Sequence, residues 1–275
     1  MRLYFENDMG RIEMGDNSFI RITDISGLAL ANKIRNTASY AGTIGNVLLS
    51  ETVSARTITV SGDIKITGEY NMLMEDVLRI LNEEGTLYIQ NGKKRCIKCV
   101  LSALEFSKLK SVYREFVMQF TADYPYFTDN TYKESALFSR VKNIIQPFKL
   151  PIIMTKRISE AVIYNGGDII SYPIIELEFL SNCESGAVIS VFNDTTKKSV
   201  KLIYSCMSGE RIAMDIENRS IKSSINGDIT GLISNDTYLS DFYLLKGKNK
   251  LRILLEKCGG AVGKCKYKNS YIENI

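Results

Sequence analysis

Four groups of residues in this 275-residue chain have types and spacings that could do chemistry. Cys96-Ile97-Lys98-Cys99 has the spacing of half a four-cysteine zinc site, whose other half must be a second close pair. Cys258-x6-Cys265 is too widely spaced for that, and positions i and i+3 of a strand point to opposite faces. Ordinary strand cysteines fit better. The run Cys258-Gly259-Gly260-Ala261-Val262-Gly263-Lys264-Cys265 is a loose version of a phosphate-binding loop. Its first glycine comes one position late, Cys265 replaces the magnesium-binding hydroxyl, and no helical pattern follows, so it reads as a flexible loop. Glu176 and Glu178 sit on one strand face, at about the 5–10 Å separation of a glycosidase pair. Alternation against Ile175, Leu177 and Phe179 explains them without catalysis. Three glycosylation sequons, at Asn193, Asn218 and Asn235, are chance matches in a chain with no secretion signal.

The chain has no histidine. That removes Ser-His-Asp and Cys-His catalysis, HExxH zinc hydrolysis and every histidine-ligated metal. Carboxylate-only and lysine-based enzymes survive, but no acid–base pair stands out. No catalytic, cofactor-binding or metal-binding residue is assigned, and no cofactor is implied.

The elements behind these residues belong to an ordinary globular protein. The length suits one or two domains, and 45% of residues are apolar. No apolar run approaches the roughly 20 residues of a membrane span, and the N-terminus lacks a signal-peptide core, so synthesis in the cytoplasm is expected. In that compartment the six cysteines are expected as free, partly buried thiols. A net charge of +4 is too small to imply sequence-specific nucleic-acid binding. Lys246–Lys268 nevertheless concentrates basic residues around a single acidic one, Glu256. They form either a patch for an acidic partner or a lysine-blunted edge strand.

Residues 165–255 read as a ladder of short strands: Ile175/Leu177/Phe179, Ala187/Ile189/Val191, Val200/Leu202/Tyr204, Ile212/Met214/Ile216 and Leu251/Ile253/Leu255. This spacing predicts an antiparallel β-sandwich. The first half differs. A polar loop over 36–55 precedes the alternation Arg56, Ile58, Val60, Gly62, Ile64, Ile66, which is one strand or two bent at Gly62. Leu73, Val77 and Leu81, with Met74 and Leu78 beside them, predict a helix over 69–84 capped by Gly85. Strands follow at 86–90, 95–106 and 112–122. The expected fold is mainly β: an α+β domain over 1–127 with one main helix, a connector over 128–161 with a helix around Tyr132–Ile145, and a sandwich over 162–275.

In order and spacing these features resemble the distal tail proteins of long-tailed phages and their relatives in tail-like bacteriocin baseplates. The matching points in the first half are the polar loop before Arg56-Thr57-Ile58-Thr59-Val60-Ser61-Gly62, the helix, and the strand pair ending at Tyr124-Pro125-Tyr126-Phe127. In the second half they are Asn165-Gly166-Gly167-Asp168, Pro173–Leu177, Gly209–Asp215 and the Gly247-Lys248-Asn249 turn into the last strand. Lys246 departs from the pattern, standing where the family has a proline.

The resemblance implies a non-enzymatic virion structural protein. Its N-terminal domains would form a hexameric ring joining the tail tube to the hub or tail-associated protein. A galectin- or carbohydrate-module-like sandwich would project outward towards host-recognition proteins or a cell-surface glycan. The protein would reside in the virion tail, or a tail-like particle, after assembly in the host bacterial cytoplasm. Ring contacts are expected at the strand edge 56–67 and the 36–55 loop by β-augmentation. The alternative reading is a carbohydrate-binding module, against which stand the absence of tryptophan and the scattered tyrosines.

Overall fold

The computed structural model describes residues 2–138 and 159–274, apart from positions 17, 43, 67, 69 and 109–111. Its chain divides into two compact units, residues 1–130 with 270–275, and residues 131–269.

The first unit contains β1 (Arg2–Asn7), β2 (Gly10–Gly15), β3 (Ile20–Ser26), β4 (Lys33–Ala38), β5 (Val47–Val53) and β6 (Arg56–Lys65). A helix, α1 (Tyr70–Leu81), precedes β7 (Gly85–Asn91), β8 (Lys93–Phe106), β9 (Tyr113–Ala122) and β10 (Phe127–Asp129). The long β8 pairs with β7 through its first half and with β9 through its second, closing the ring β8-β7-β1-β2-β3-β6-β9 into a barrel. Alternation supplies its interior: Leu3, Phe5, Ile12, Met14, Ile58, Val60, Phe116, Met118 and Phe120 are all buried. Burying such side chains stabilises by about 1.5–3 kcal/mol each.

Closure changes two expectations. β6 pairs with β3 on one side and β9 on the other, so residues 56–65 are not an edge available to a partner. Nor does Gly62 bend the strand. It lies opposite a bulge in β3, where an added Cβ would come within 2.0 Å of the Arg21 carbonyl oxygen. The helix ends at Leu81, and Gly85 opens β7 instead of capping it. An added Cβ at Gly85 would meet the Phe5 ring at 2.5 Å. The buried helix stripe is Met74, Val77, Ile80 and Leu81, whereas Leu78 is exposed.

The second unit contains β11 (Lys133–Phe138), β12 (Ser159–Asn165), β13 (Ile174–Phe179), β14 (Val188–Asn193) and β15 (Lys198–Ile203). Next come β16 (Arg211–Asp215), β17 (Ser220–Ser223), β18 (Gly227–Asp228), β19 (Gly247–Glu256) and β20 (Ala261–Tyr267). They form two antiparallel sheets, β11-β20-β13-β16-β17-β18 and β12-β19-β14-β15. Ile175, Leu177, Phe179, Ile212 and Met214 of the larger sheet share one buried core with Ile189, Val191, Leu202, Leu251 and Ile253 of the smaller.

The sequence-derived boundaries need correction. Thr128–Asp129 and Lys133–Phe138 are strand, not connector or helix, and β12 begins before residue 162. The remainder of the expected connector helix, from residue 139, lies outside the described residues. The expected flexible loop 258–265 is largely β20, with Cys265 buried. After Asn269 the chain leaves the second unit, and a last strand, β21 (Ser270–Tyr271), pairs with β10 of the first.

Cys183 and Cys258 form a disulfide rather than two free thiols. The loops after β13 and β19 bring them together, with the Glu184 amide donating to the Lys257 carbonyl at 2.9 Å. Because the bond spans 75 residues, removing it is expected to cost about 2–4 kcal/mol. Thermal unfolding of Cys183→Ser, or of the wild type with and without reductant, checks this. Equal midpoints would show the bond to be energetically idle.

Candidate assembly surfaces

β4 and β5 form a hairpin that pairs with no other strand among the described residues. A bulge after Asn36 lets the apolar run Val47-Leu48-Leu49 sit opposite Ala38 and Thr37. Only Ala38 and Val53 of the two strands are even half-buried, and Leu49 is 60% exposed. Leu30 at the base, and Tyr40 and Ile44 in the turn region, are exposed as well. The expected polar loop over 36–55 is therefore largely strand, holding the end of β4 and all of β5. Lys33 and Arg35 ion-pair with Glu51 at 2.6 and 3.4 Å, and Lys33 holds the Glu51 carboxyl below the usual range. A lone two-stranded hairpin is marginal in water, and this one offers two open backbone edges and a row of aliphatic side chains.

The barrel beside it is locked by a buried arginine. Arg56, only 3% exposed, donates through Nε to the Pro125 carbonyl (2.6 Å) and through Nη1 to Gly27 and Ala29 (both 2.6 Å). Nη2 donates to Ile272 at 2.8 Å, and the guanidinium lies 4.6 Å from the centre of the Phe127 ring. Burial pushes its pKa down from the usual arginine value. Arg95 repeats the arrangement, stacking 3.6 Å from the Tyr271 ring centre and donating to the Glu273 carbonyl. The Asn274 amide donates to Leu28 at 2.9 Å. Residues 270–274 are thus stitched to the unit by the Ile272 and Glu273 carbonyls and the Asn274 amide, main-chain atoms that carry no sequence signal, and by the Tyr271 side chain, whose hydroxyl donates to Asp129 at 3.0 Å.

Residues singled out for chemistry have structural surroundings. Cys99 lies in the barrel core while Cys96 faces Thr128 at 3.3 Å, and burial pushes the Cys99 thiol up to about 12. Glu176 accepts from Lys266 (2.6 Å) and Glu178 from Arg211 (3.0 Å). Asn193, in a sequon, is fully buried and donates to the Tyr243 carbonyl. Asn165 and Asn249, from the motifs that carry the family resemblance, are also buried. Asn165 donates to Ile169 and Leu244, while Asn249 exchanges hydrogen bonds with both backbone groups of Leu245. These amides fix the crossing before β19. The basic residues of β19 are not edge protection, since β12 and β14 pair on its two sides.

Glu210, noted in the sequence only as part of the Gly209–Asp215 motif, is 1% exposed. Its carboxylate accepts from Tyr204 (2.6 Å), the Met207 amide (2.8 Å) and the Ser223 hydroxyl. Burial works against the charge, but these hydrogen bonds together outweigh it and hold the carboxyl below the usual range. A depressed carboxyl stabilises above its unfolded pKa, about 4.3, and loses that contribution as pH falls through the folded value. Glu210→Gln is expected to cost about 1–3 kcal/mol at neutral pH and to flatten the acid limb of stability against pH. A denaturation series from neutral pH to pH 3 with an unchanged limb would contradict this.

With this geometry in place, comparison with known proteins locates the first unit. Residues 7–122 match the family of phage tail protein RIFT-related domains. This segment is similar to a phage tail domain. The match runs from the end of β1 to the end of β9 and takes in the hairpin and the helix. None of the curated proteins matches at a significant level. Among solved structures, the Dit protein of phage SPP1, described as a paradigm of the hub adsorption apparatus in phages infecting Gram-positive bacteria, aligns at TM-score 0.68 and 11% identity. The alignment covers 90% of this chain and 92% of that one. A chain of the phage P2 baseplate in its activated conformation with Ca aligns at TM-score 0.54 and 14% identity, over 97% and 98% of the two chains. The Sr form of that baseplate gives 0.53 and 13%. At such identities the likeness establishes a shared fold, which extends beyond the matched segment into both units.

Proposed function

We propose that this chain is a structural component of a phage tail tip or baseplate, without catalysis, that works as a distal tail protein. The observation that carries the reading is the tail-domain match over the barrel, the helix and the hairpin, on a chain that shares its fold with the SPP1 Dit protein over 90% of its length. The tail domains assemble as a ring of six copies that joins the tail tube to the hub or tail-associated protein. The two-sheet second unit is a galectin- or carbohydrate-module-like sandwich serving the host-recognition side. The protein resides in the virion tail, or a tail-like particle, after assembly in the host bacterial cytoplasm.

The exposed hairpin supports this reading. Ring closure requires a head-to-tail contact between different patches of neighbouring copies. An aliphatic hairpin with open edges supplies one half of such a contact, by β-augmentation or by laying its apolar side chains on the next barrel. The test is solution mass by light scattering at two concentrations. A closed species near six chain masses supports the reading, and a monomer at both concentrations that also fails to join a tail tube would overturn it.

A further inference from the structure

Cys183 and Cys258 lie on two of the connections between the sheets of the second unit. Residues 180–187 lead from β13 of the larger sheet to β14 of the smaller. Residues 257–260 lead back, from β19 of the smaller sheet to β20 of the larger. The disulfide joins these two crossings. Backbone hydrogen bonds seat them as well: the Leu180 amide donates to the Gly260 carbonyl at 3.0 Å, Glu184 to Lys257 at 2.9 Å, and Cys183 to Cys206 at 2.8 Å. The approach is close, since a Cβ on Gly259 would come 2.2 Å from the Ser181 hydroxyl oxygen.

This pair differs chemically from the remaining cysteines. Cys183 and Cys258 are half-buried at the rim of the core, whereas Cys96, Cys99, Cys206 and Cys265 are buried. Burial pushes the thiols of Cys99, Cys206 and Cys265 up to about 12, so near neutral pH they hold almost no thiolate to attack a disulfide. Lys257, next to Cys258, holds left-handed backbone at φ 58°, a conformation costly for any residue with a Cβ. The Glu184 hydrogen bond to its carbonyl and the crosslink at the following residue keep it there. Accessible bonds beside strained backbone belong to the reducible class, unlike structural disulfides sealed in a core.

We propose that Cys183 and Cys258 form a redox switch, a dithiol while the chain is made and assembled in the reducing cytoplasm and a disulfide once it meets an oxidising exterior. The step is exchange with a small-molecule disulfide such as glutathione disulfide. One cysteine thiolate attacks a sulfur of that disulfide and releases one small thiol. The other cysteine then attacks the mixed disulfide and releases the second. Two protein thiols and one small disulfide become one protein disulfide and two small thiols, with two electrons passing to the oxidant. Opened, the crossings lose their covalent tie and depend on their hydrogen bonds. Closed, one end of the sheet pair is fixed. Cytoplasmic assembly belongs to the function proposed above, but the switch is read on the chain by itself.

The experiment expresses the full chain in bacterial cytoplasm, quenches intact cells in acid, labels thiols with a maleimide in denaturant and counts them by mass. The expected result is label on all six cysteines from the quenched cells. After the native protein is treated with glutathione disulfide, Cys183 and Cys258 alone should escape labelling. Hydrogen exchange at the Leu180, Cys183 and Glu184 amides should run roughly 10-fold faster in the reduced chain than in the oxidised one, with β16 alike in both. The Cys183→Ser/Cys258→Ser variant should exchange like the reduced chain, with or without oxidant. Three results would each overturn the proposal: a bond already closed in quenched cells, a bond that cytoplasmic ratios of reduced to oxidised glutathione fail to open, or equal exchange in the two states. Each is independent of whether rings form, so failure of the switch is distinct from failure of the assembly reading.

Discussion

Arg56→Ala is expected to destabilise the first unit by about 3–5 kcal/mol, a large part of a typical domain's total stability. The guanidinium serves carbonyls from three separate stretches: Gly27 and Ala29, Pro125, and Ile272. The Pro125 carbonyl would be left buried without a donor, at about 1–3 kcal/mol, and the part-buried bonds to Gly27, Ala29 and Ile272 would be recovered by water only in part. Lysine is no substitute. Its ammonium is a point charge on a flexible stem and cannot reproduce the planar fork that reaches all three stretches at once. Arg56→Lys should therefore recover less than half of the loss. Hydrogen exchange resolved by segment makes the measurement specific. Protection should fall across β6 and at residues 270–274, while β13 and β19 keep wild-type protection. A loss below 1 kcal/mol would mean that the carbonyls find other donors and the clamp is dispensable.

Arg56 also shows where sequence reading is strong and where it fails. Alternation placed it correctly on the inward face with Ile58, Val60 and Ile64, and those side chains are fully buried. Nothing in the pattern says that an inward arginine is held by backbone oxygens, because carbonyls belong to every residue and mark none. The same limit hid the return of residues 270–274 to the first unit. The β1–β2 hairpin was a different kind of miss. Leu3 and Phe5, then Ile12 and Met14, alternate across a tight turn and are buried, so the signal was present but masked by intervening charged residues.

The second unit was more legible, since its five expected strand runs all contribute buried residues to one core. What alternation could not give was pairing. Whether β19 is an edge or interior strand decides what its lysines do, and that depends on β12, a strand placed half inside the expected connector. Glu176 and Glu178 were noticed as a pair, but their partners Lys264, Lys266 and Arg211 are brought beside them by the register from distant sequence. Cys183 and Cys258 were likewise unmatched until the two loops met.

The hairpin is the element whose removal should change assembly most and folding least. Leu48 and Leu49 are exposed on a strand pair that contributes no residue to the barrel core. Changing both to serine should leave the first unit's stability within the scatter of ordinary surface substitutions, about 0.5 kcal/mol. If the pair is buried against the next copy, each leucine contributes about 1.5–3 kcal/mol to that contact. Losing both weakens every interface of a ring by about 3–6 kcal/mol, a factor of roughly 10² to 10⁴ in association. A ring closes only when all its contacts form together, so the variant should run as a monomer at concentrations where the wild type is assembled. Light scattering on both proteins reads this directly, with circular dichroism as the control for folding. A ring that survives the double substitution would move the contact elsewhere on the barrel and leave the hairpin's apolar row to meet a different neighbour, the tail tube or the hub.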